Sequence, residues 1–440
     1  MTAKNIVIEG TRKDFSAHGG LPLLDELWNK LDLSNKLRRH MPKKKRSVGL
    51  KQIAKFKGLV YLLAMGNDCI NDLEGLRCDN IFTGLLGQDF PARTASDFLS
   101  SFHKRQLEKI QNTLLELAFK IRSSISRGDP NLIISMDSTP HKQYGKKMEG
   151  VAMNYKGILG YDSQNAYDQF GLSYLFDLRP GNTWSGKEAE RWIYQIFSKA
   201  PSKLNKYFRA DSAYSSLSIL KALKVHQVKF TVVLKENIGR YVRKKNELIW
   251  SRTDLEFFGS KDCEVSTGSY PLKQLGNLRV VFLRKRVKQR PEGKQLNLFT
   301  SGNRYEDEYK YYSIVTNIPE NIMSNEEVIK FYRGRANCEN FIKEQKYGYD
   351  MLHFPCLKFT ANKVWGLIAT IAHNLIRAIG LMLKNSGQSK NCYFSKKIRN
   401  TFINIPCQVV RSARKIKLKI NLVAKEMLMG LLITLKNTFT

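Results

Sequence analysis

The stretch YFRADSAYSSLSILKALKVHQVKFTVVLKE, residues 207–236, decides the fold class. Tyr207 to Asp211 is a short strand-like run closed by an acid, SSLSILKALKVHQ is helical, and VKFTVVLKE is a second strand. Strands alternating with helices imply an α/β layer. Upstream, NLIISMD (131–137) is another apolar run that ends in an acid. GLSYLFDL (171–178) is strand-like, and Arg179-Pro180-Gly181-Asn182 closes it as a turn. GKEAERWIYQIFSKA then reads as a helix with Ser185 as its cap. Further out, LPLLDELWNKLDLSNKL and VGLKQIAKFKGLVYLLAM show helical spacing, joined by the basic connector Pro42-Lys43-Lys44-Lys45-Arg46. Thr94, with Asp97 three residues on, is a candidate cap for the next helix. EVSTG, LRVVFLRKRV and YKYYSIVTNI make residues 237–320 β-rich, with a basic cluster from Arg284 to Arg290. Near the end, QVVRSARKIKLKI alternates like an exposed strand. The expected organisation is a helical region at 1–125, an α/β core at 126–236 and 321–386, a β-rich insertion at 237–320, and a basic C-terminal segment at 387–440.

Composition narrows the partners. The 440 residues hold 73 basic against 39 acidic side chains, a net charge of +34. That excess calls for a polyanion, and its spread along the whole chain favours nucleic acid over a membrane surface. Seven scattered cysteines without a C-x2-C pair argue for a reducing compartment and against a zinc module. The first residues carry no apolar signal-peptide core. Val364 to Leu383 is long and apolar enough to raise the membrane question, but His373, Asn374 and Arg377 in its middle make it a buried helix. A cytoplasmic protein without a membrane partner is expected. The helical N-terminal region is either a DNA-reading module or a packing appendage.

A second stretch carries the chemistry. FYRGRANCENFIKEQK (331–346) spaces Tyr332, Arg335, Glu339 and Lys346 as Y-x2-R-x3-E-x6-K. On one continuous helix these four point within an arc of roughly 60°, beside a buried face of Phe331, Cys338, Phe341 and Ile342. An acid between bases at such an edge suits a site that handles a metal and a phosphodiester together; the alternative is a solvated helix with i,i+4 ion pairs. Asp137 and Asp211 each end a strand-like run, where sites form in open sheets. With Glu339 they make a three-carboxylate set suited to hard divalent cations, and two such ions align an attacking and a leaving oxygen on one phosphorus. Asp162, Asp168 and Asp177 compete for the role but close no apolar run as clearly, and Asp177 reads as a surface acid.

MDST around Asp137, YFRADSAY around Asp211 and the Tyr332–Lys346 spacing resemble the DDE transposases of bacterial insertion sequences. They are most similar to the branch whose third acid lies in a Y-x2-R-x3-E-x6-K signature. GLPLLDELWNKLDL, DLRPGN and AHNLIRA agree with that branch, so the resemblance runs from about residue 15 to residue 420. It implies an RNase H-like catalytic core interrupted by a β-rich insertion. It implies Asp137, Asp211 and Glu339 as a triad holding Mg²⁺ (or Mn²⁺), as two ions. The implied reaction is nicking of double-stranded DNA at the element ends, followed by attack of the freed 3′-hydroxyl on target DNA, within a homo-oligomer, a dimer. Tyr332, Arg335 and Lys346 match positions that contact DNA phosphates. Trp250, the tryptophan of the insertion, is the candidate to hold a flipped base in a hairpin step. The rival readings are a transposase-derived DNA-binding protein without activity and a structure-specific nuclease.

Overall fold

The computed structural model of the chain describes residues 9–44, 48–257, 259–286, 309–387, 394–412 and 415–439. A short strand, β1 (Asp14–Ser16), leads into helices α1 (Leu21–Lys30), α2 (Leu33–Arg38), α3 (Gln52–Met65), α4 (Leu73–Leu76), α5 (Asn80–Leu86), α6 (Ala92–Ser100) and α7 (Lys104–Ile125). Leu21, Leu24, Leu27 and Trp28 form the inner stripe of α1 and are fully buried, the outcome that 3.6-residue spacing dictates. Thr94 does not cap α6. It lies inside the helix, which Pro91 enters from an extended conformation. Of the basic connector, Lys45 and Arg46 lie outside the described residues.

Among the described residues a ten-stranded mixed sheet follows. Its elements run β2 (Asn131–Lys142), β3 (Ala152–Met153), β4 (Leu159–Tyr167), β5 (Ser173–Pro180), α8 (Ala189–Lys199), β6 (Asn205–Ala210), α9 (Leu217–Val225), β7 (Lys229–Val233), α10 (Glu236–Lys245), β8 (Ser251–Thr253), β9 (Cys263–Leu272), β10 (Gly276–Arg286) and β11 (Tyr309–Thr316). The order is β3-β4-β2-β6-β7-β11-β10-β9-β8, with β5 also paired to β4. β2, β6 and β7 run parallel, as strands joined through helices do. The remaining pairings are antiparallel. β11 pairs with β7, so the strands drawn from 237–320 extend the same sheet. Residues 287–290 of the Arg284–Arg290 cluster lie outside the described residues.

Two local expectations are corrected here. Ser185 does not cap α8, which starts after Glu188 in the left-handed region; Ser185 instead accepts a hydrogen bond from Ser138 Oγ at 2.8 Å. Asp177 is not a surface acid. It is 3% exposed, ion-paired with Lys363 and takes a hydrogen bond from Trp192 Nε1 at 3.3 Å.

The chain closes with α11 (Asn325–Arg333), α12 (Ala336–Gly348), α13 (Phe359–Asn385), α14 (Ser395–Ile398), β12 (Cys407–Ser412), β13 (Lys415–Lys419) and α15 (Leu422–Thr438). QVVRSARKIKLKI contributes two antiparallel strands, β12 and β13, and β1 pairs with β12. Helix α13 is long and apolar enough to cross a membrane, yet its apolar window is wholly buried inside the protein. It packs on α3, α7 and β5. Asn374 in its middle bonds both the N–H and the C=O of Ser173, each at 2.8 Å, which tolerates an amide in an apolar core.

Candidate active site

Register brings the first two acids together. In the parallel β2–β6 pair, Ser135 faces Arg209 and Met136 faces Ala210, so Asp137 and Asp211 take the next rung. Adjacent strands lie roughly 4.8 Å apart. Asp211 follows the last residue of β6, and its Oδ1 accepts from Ala213 N at 3.0 Å. It thus caps the turn Ser212–Tyr214, near enough to Asp137 for its charge to raise that carboxyl's pKa. Asp137 ends the apolar run but not the strand: β2 continues to Lys142 because residues 135–142 pair with β4. Apolar patterning reports burial, whereas the ladder depends on a neighbour the local sequence does not name.

The third acid arrives on a helix that is broken. The signature does not form one continuous helix: α11 ends at Arg333 and α12 begins at Ala336. Across the break, Gly334 N bonds Phe331 O, Arg335 N bonds Tyr332 O and Cys338 N bonds Arg335 O, all three residues back. The tightened turn lets Arg335 act as a clamp. Its Nη1 donates to Asp137 Oδ2 and its Nη2 to Glu339 Oε1, both at 2.8 Å, while its Nε donates to Tyr332 Oη at 3.1 Å. Two such bonds from one guanidinium fork hold the carboxylate oxygens within about 8 Å of each other. β2, β6 and α12 therefore converge on one place from stretches far apart in the sequence.

Comparison with protein families gives a match over residues 1–438 to the model described as transposase DDE domain, group 1. The chain belongs to the DDE transposases. Comparison with individually curated proteins gives no match.

In this transposase Lys346 reaches β2 just past Asp137. Its Nζ donates to Thr139 Oγ1 at 3.1 Å and to Pro140 O at 2.6 Å, and burial lowers its pKa. Tyr332 is buried and meets Tyr312 of β11 edge-on at 5.8 Å. Trp250 stands elsewhere, just before β8. The Arg284 guanidinium lies 3.9 Å from its ring centroid and Tyr311 packs at 6.1 Å, a group that contains none of the three acids. Arg209 was not singled out by the sequence reading. Two-residue alternation could have found it, since Ser135 and Arg209 each stand two positions before an acid on the same strand face.

The competing acids find their partners within β4, β5 and their flanks. Asp162 is bound by Arg179, with Nε at 2.9 Å. Asp168 accepts from Phe170 N, Leu172 N and Tyr174 Oη. With Asp177 bound to Lys363 and Trp192, all three hold β4, β5 and their flanks in place. Asp137 differs. Burial raises its carboxyl to about 6; Arg335 opposes that rise, and the charges of Asp211 and Glu339 add to it. An acid whose carboxyl is raised by burial and by two neighbouring acids, with a cation clamped between it and one of them, fits the divalent-metal chemistry general to DDE transposases. Their donor set is all oxygen, which hard cations prefer. The three do not lie within 4.8 Å of one another. Among the described residues that spacing occurs at Asp68, Cys69 and Asp72, where Asp72 already accepts from Asp68 N, Cys69 N and Cys69 Sγ.

Proposed function

We propose that this transposase cuts double-stranded DNA at the ends of a bacterial insertion sequence and joins the freed 3′ end to target DNA. Asp137, Asp211 and Glu339 would hold the divalent metal, two Mg²⁺ or Mn²⁺ ions. The observation that supports the reading is Arg335 bound to both Asp137 of β2 and Glu339 of α12, next to the end of β6 where Asp211 follows Ala210, the partner of Met136. Metal bound there supplies Lewis-acid stabilisation of the reacting phosphate and a nucleophile at neutral pH. The chain's own residues do the rest. Asp137 on β2 and Asp211 just after β6 would present two carboxylates side by side, while Arg335, oriented by Tyr332, would present a forked donor for a phosphate. Lys346 adds a point charge one step further along β2.

Sheet order supports an RNase H-like core: β5, β4 and β2 form an antiparallel meander, and β6 and β7 continue it in parallel with β2. Strands β8–β11 then belong to the insertion at 237–320. Trp250, already flanked by Arg284 and Tyr311, offers a flat face for an unstacked base. Residues 1–125 and the basic C-terminal segment would engage the element ends, in a dimer bound to DNA in the bacterial cytoplasm.

Asp137→Asn, Asp211→Asn and Glu339→Gln are each expected to lower nicking of an element-end duplex by roughly a thousandfold or more, with gel-shift binding retained. Cutting retained by any one variant would remove that acid from the set. Nicking without joining of the 3′ end would favour a structure-specific nuclease, and binding without cutting by the unaltered chain an inactive DNA-binding relative.

A further inference from the structure

Arg209 is a buried cation, 7% exposed, and no carboxylate pairs with it among the described residues. Its Nε donates to Ser135 Oγ at 3.1 Å and its Nη1 to Phe331 O at 3.0 Å. The guanidinium also lies 5.2 Å from the Phe331 ring centroid. Burial lowers its pKa to about 10, with the nearby positive charge of Arg335 adding to the effect. An arginine is expensive in such a place, so its contacts there invite a functional account.

The place is the break between α11 and α12. In an uninterrupted α-helix, Phe331 O would take the N–H of residue 335. Here Phe331 O accepts from Gly334 N and from Arg209, and Arg335 N turns to Tyr332 O. Gly334 makes room for the wedge: a Cβ at that position would stand 2.2 Å from Arg209 Nη1. Immediately after the break come Arg335 and, one helical turn later, Glu339. Cys338 ties the same turn to the sheet through Ser135 O at 3.7 Å. The rung Ser135–Arg209 thus supports the helix junction, and the next rung, Asp137–Asp211, receives what the junction delivers.

We propose that Arg209 is a positioning residue: its guanidinium wedges open the α11–α12 junction and so aims Arg335 and Glu339 at Asp137. The inference rests on the metal-site reading above, because Glu339 matters to catalysis only as part of that set. Removing a residue that orients a metal ligand typically costs about 10- to 100-fold in metal affinity or activity.

The test uses the full chain with four variants: Arg209→Met, Arg209→Lys, Gly334→Ala, and Arg209→Met combined with Gly334→Ala. Mn²⁺ binding is followed by calorimetry, folding by thermal melting, and nicking of an element-end duplex by kcat and KM. Arg209→Met is expected to weaken Mn²⁺ binding by about 10- to 100-fold and to lower kcat in proportion, with KM for DNA unchanged. Arg209→Lys keeps the charge but not the fork, and should fall between Met and the unaltered chain. Gly334→Ala alone should melt lower because its methyl meets Arg209. The double variant should recover the melting temperature but not the Mn²⁺ affinity. Mn²⁺ binding equal to the unaltered chain in Arg209→Met, or in Arg209→Lys if the Met variant does not fold, overturns the proposal, as does recovery of both binding and kcat by the double variant. If Mn²⁺ binding to the unaltered chain is indifferent to Asp137→Asn, the metal-site reading fails first. If it depends on Asp137 but not on Arg209, only this inference fails.

Discussion

Around the sheet, an acid's hydrogen bonds say more about its task than its burial does. Asp168 illustrates the structural kind. Burial raises its carboxyl to about 6 in the fold, against roughly 3.9 in an unfolded chain. Between those values the native state keeps a proton that the unfolded state has released. Stability therefore falls as pH rises from about 4 to about 6 and levels off above, by an amount on the order of 3 kcal/mol for this one group. Asp168→Asn keeps an acceptor for Phe170 N and Leu172 N and removes the titration. Its melting temperature should decline less than that of the unaltered chain across that window, and equal declines would clear Asp168 of the effect. Asp137, Asp211 and Glu339, the acids proposed to hold metal, stand out in the sequence because two of them close apolar runs and the third sits in a spaced signature. Arg209 was harder to see, since its decisive partner, Phe331 O, lies 122 residues away.

At the scale of elements, α13 was legible and the α11–α12 break was not. The run from Val364 to Leu383 is mostly apolar, and its few polar residues mark it as a core helix with internal partners. Asn374 supplies the main one, closing both backbone groups of Ser173 at the start of β5. Asn374→Ala would leave a buried N–H and C=O without partners, at roughly 1–3 kcal/mol each. A urea midpoint lowered without a change in slope would show it, and an unmoved midpoint would mean that Ser173 finds other partners. The signature, by contrast, has helical spacing on both sides of Gly334, and a lone glycine is tolerated in a helix. Whether the helix continues there depends on Arg209 reaching across from β6, which local periodicity does not encode.

At the scale of the molecule, charge is the dominant fact. An excess of 34 positive charges implies binding to DNA by release of counterions, with strong dependence on salt. If six or more phosphates are contacted, the dissociation constant for an element-end duplex should rise about a thousandfold or more between 50 and 200 mM salt, as fluorescence anisotropy would report. A flat salt response would mean that the charge serves something other than phosphate contact. Composition, apolar periodicity and the residues that close each run are local properties, so the sequence by itself determined the α/β alternation and the polyanionic character of the partner, and singled out the three acids proposed as the metal site. Tertiary structure alone decided which acids are tied up in holding strands, where the signature helix breaks, and that β8–β11 extend the same sheet. Those outcomes turn on strand register and on partners more than a hundred residues apart, and no window of sequence contains both halves of such a contact.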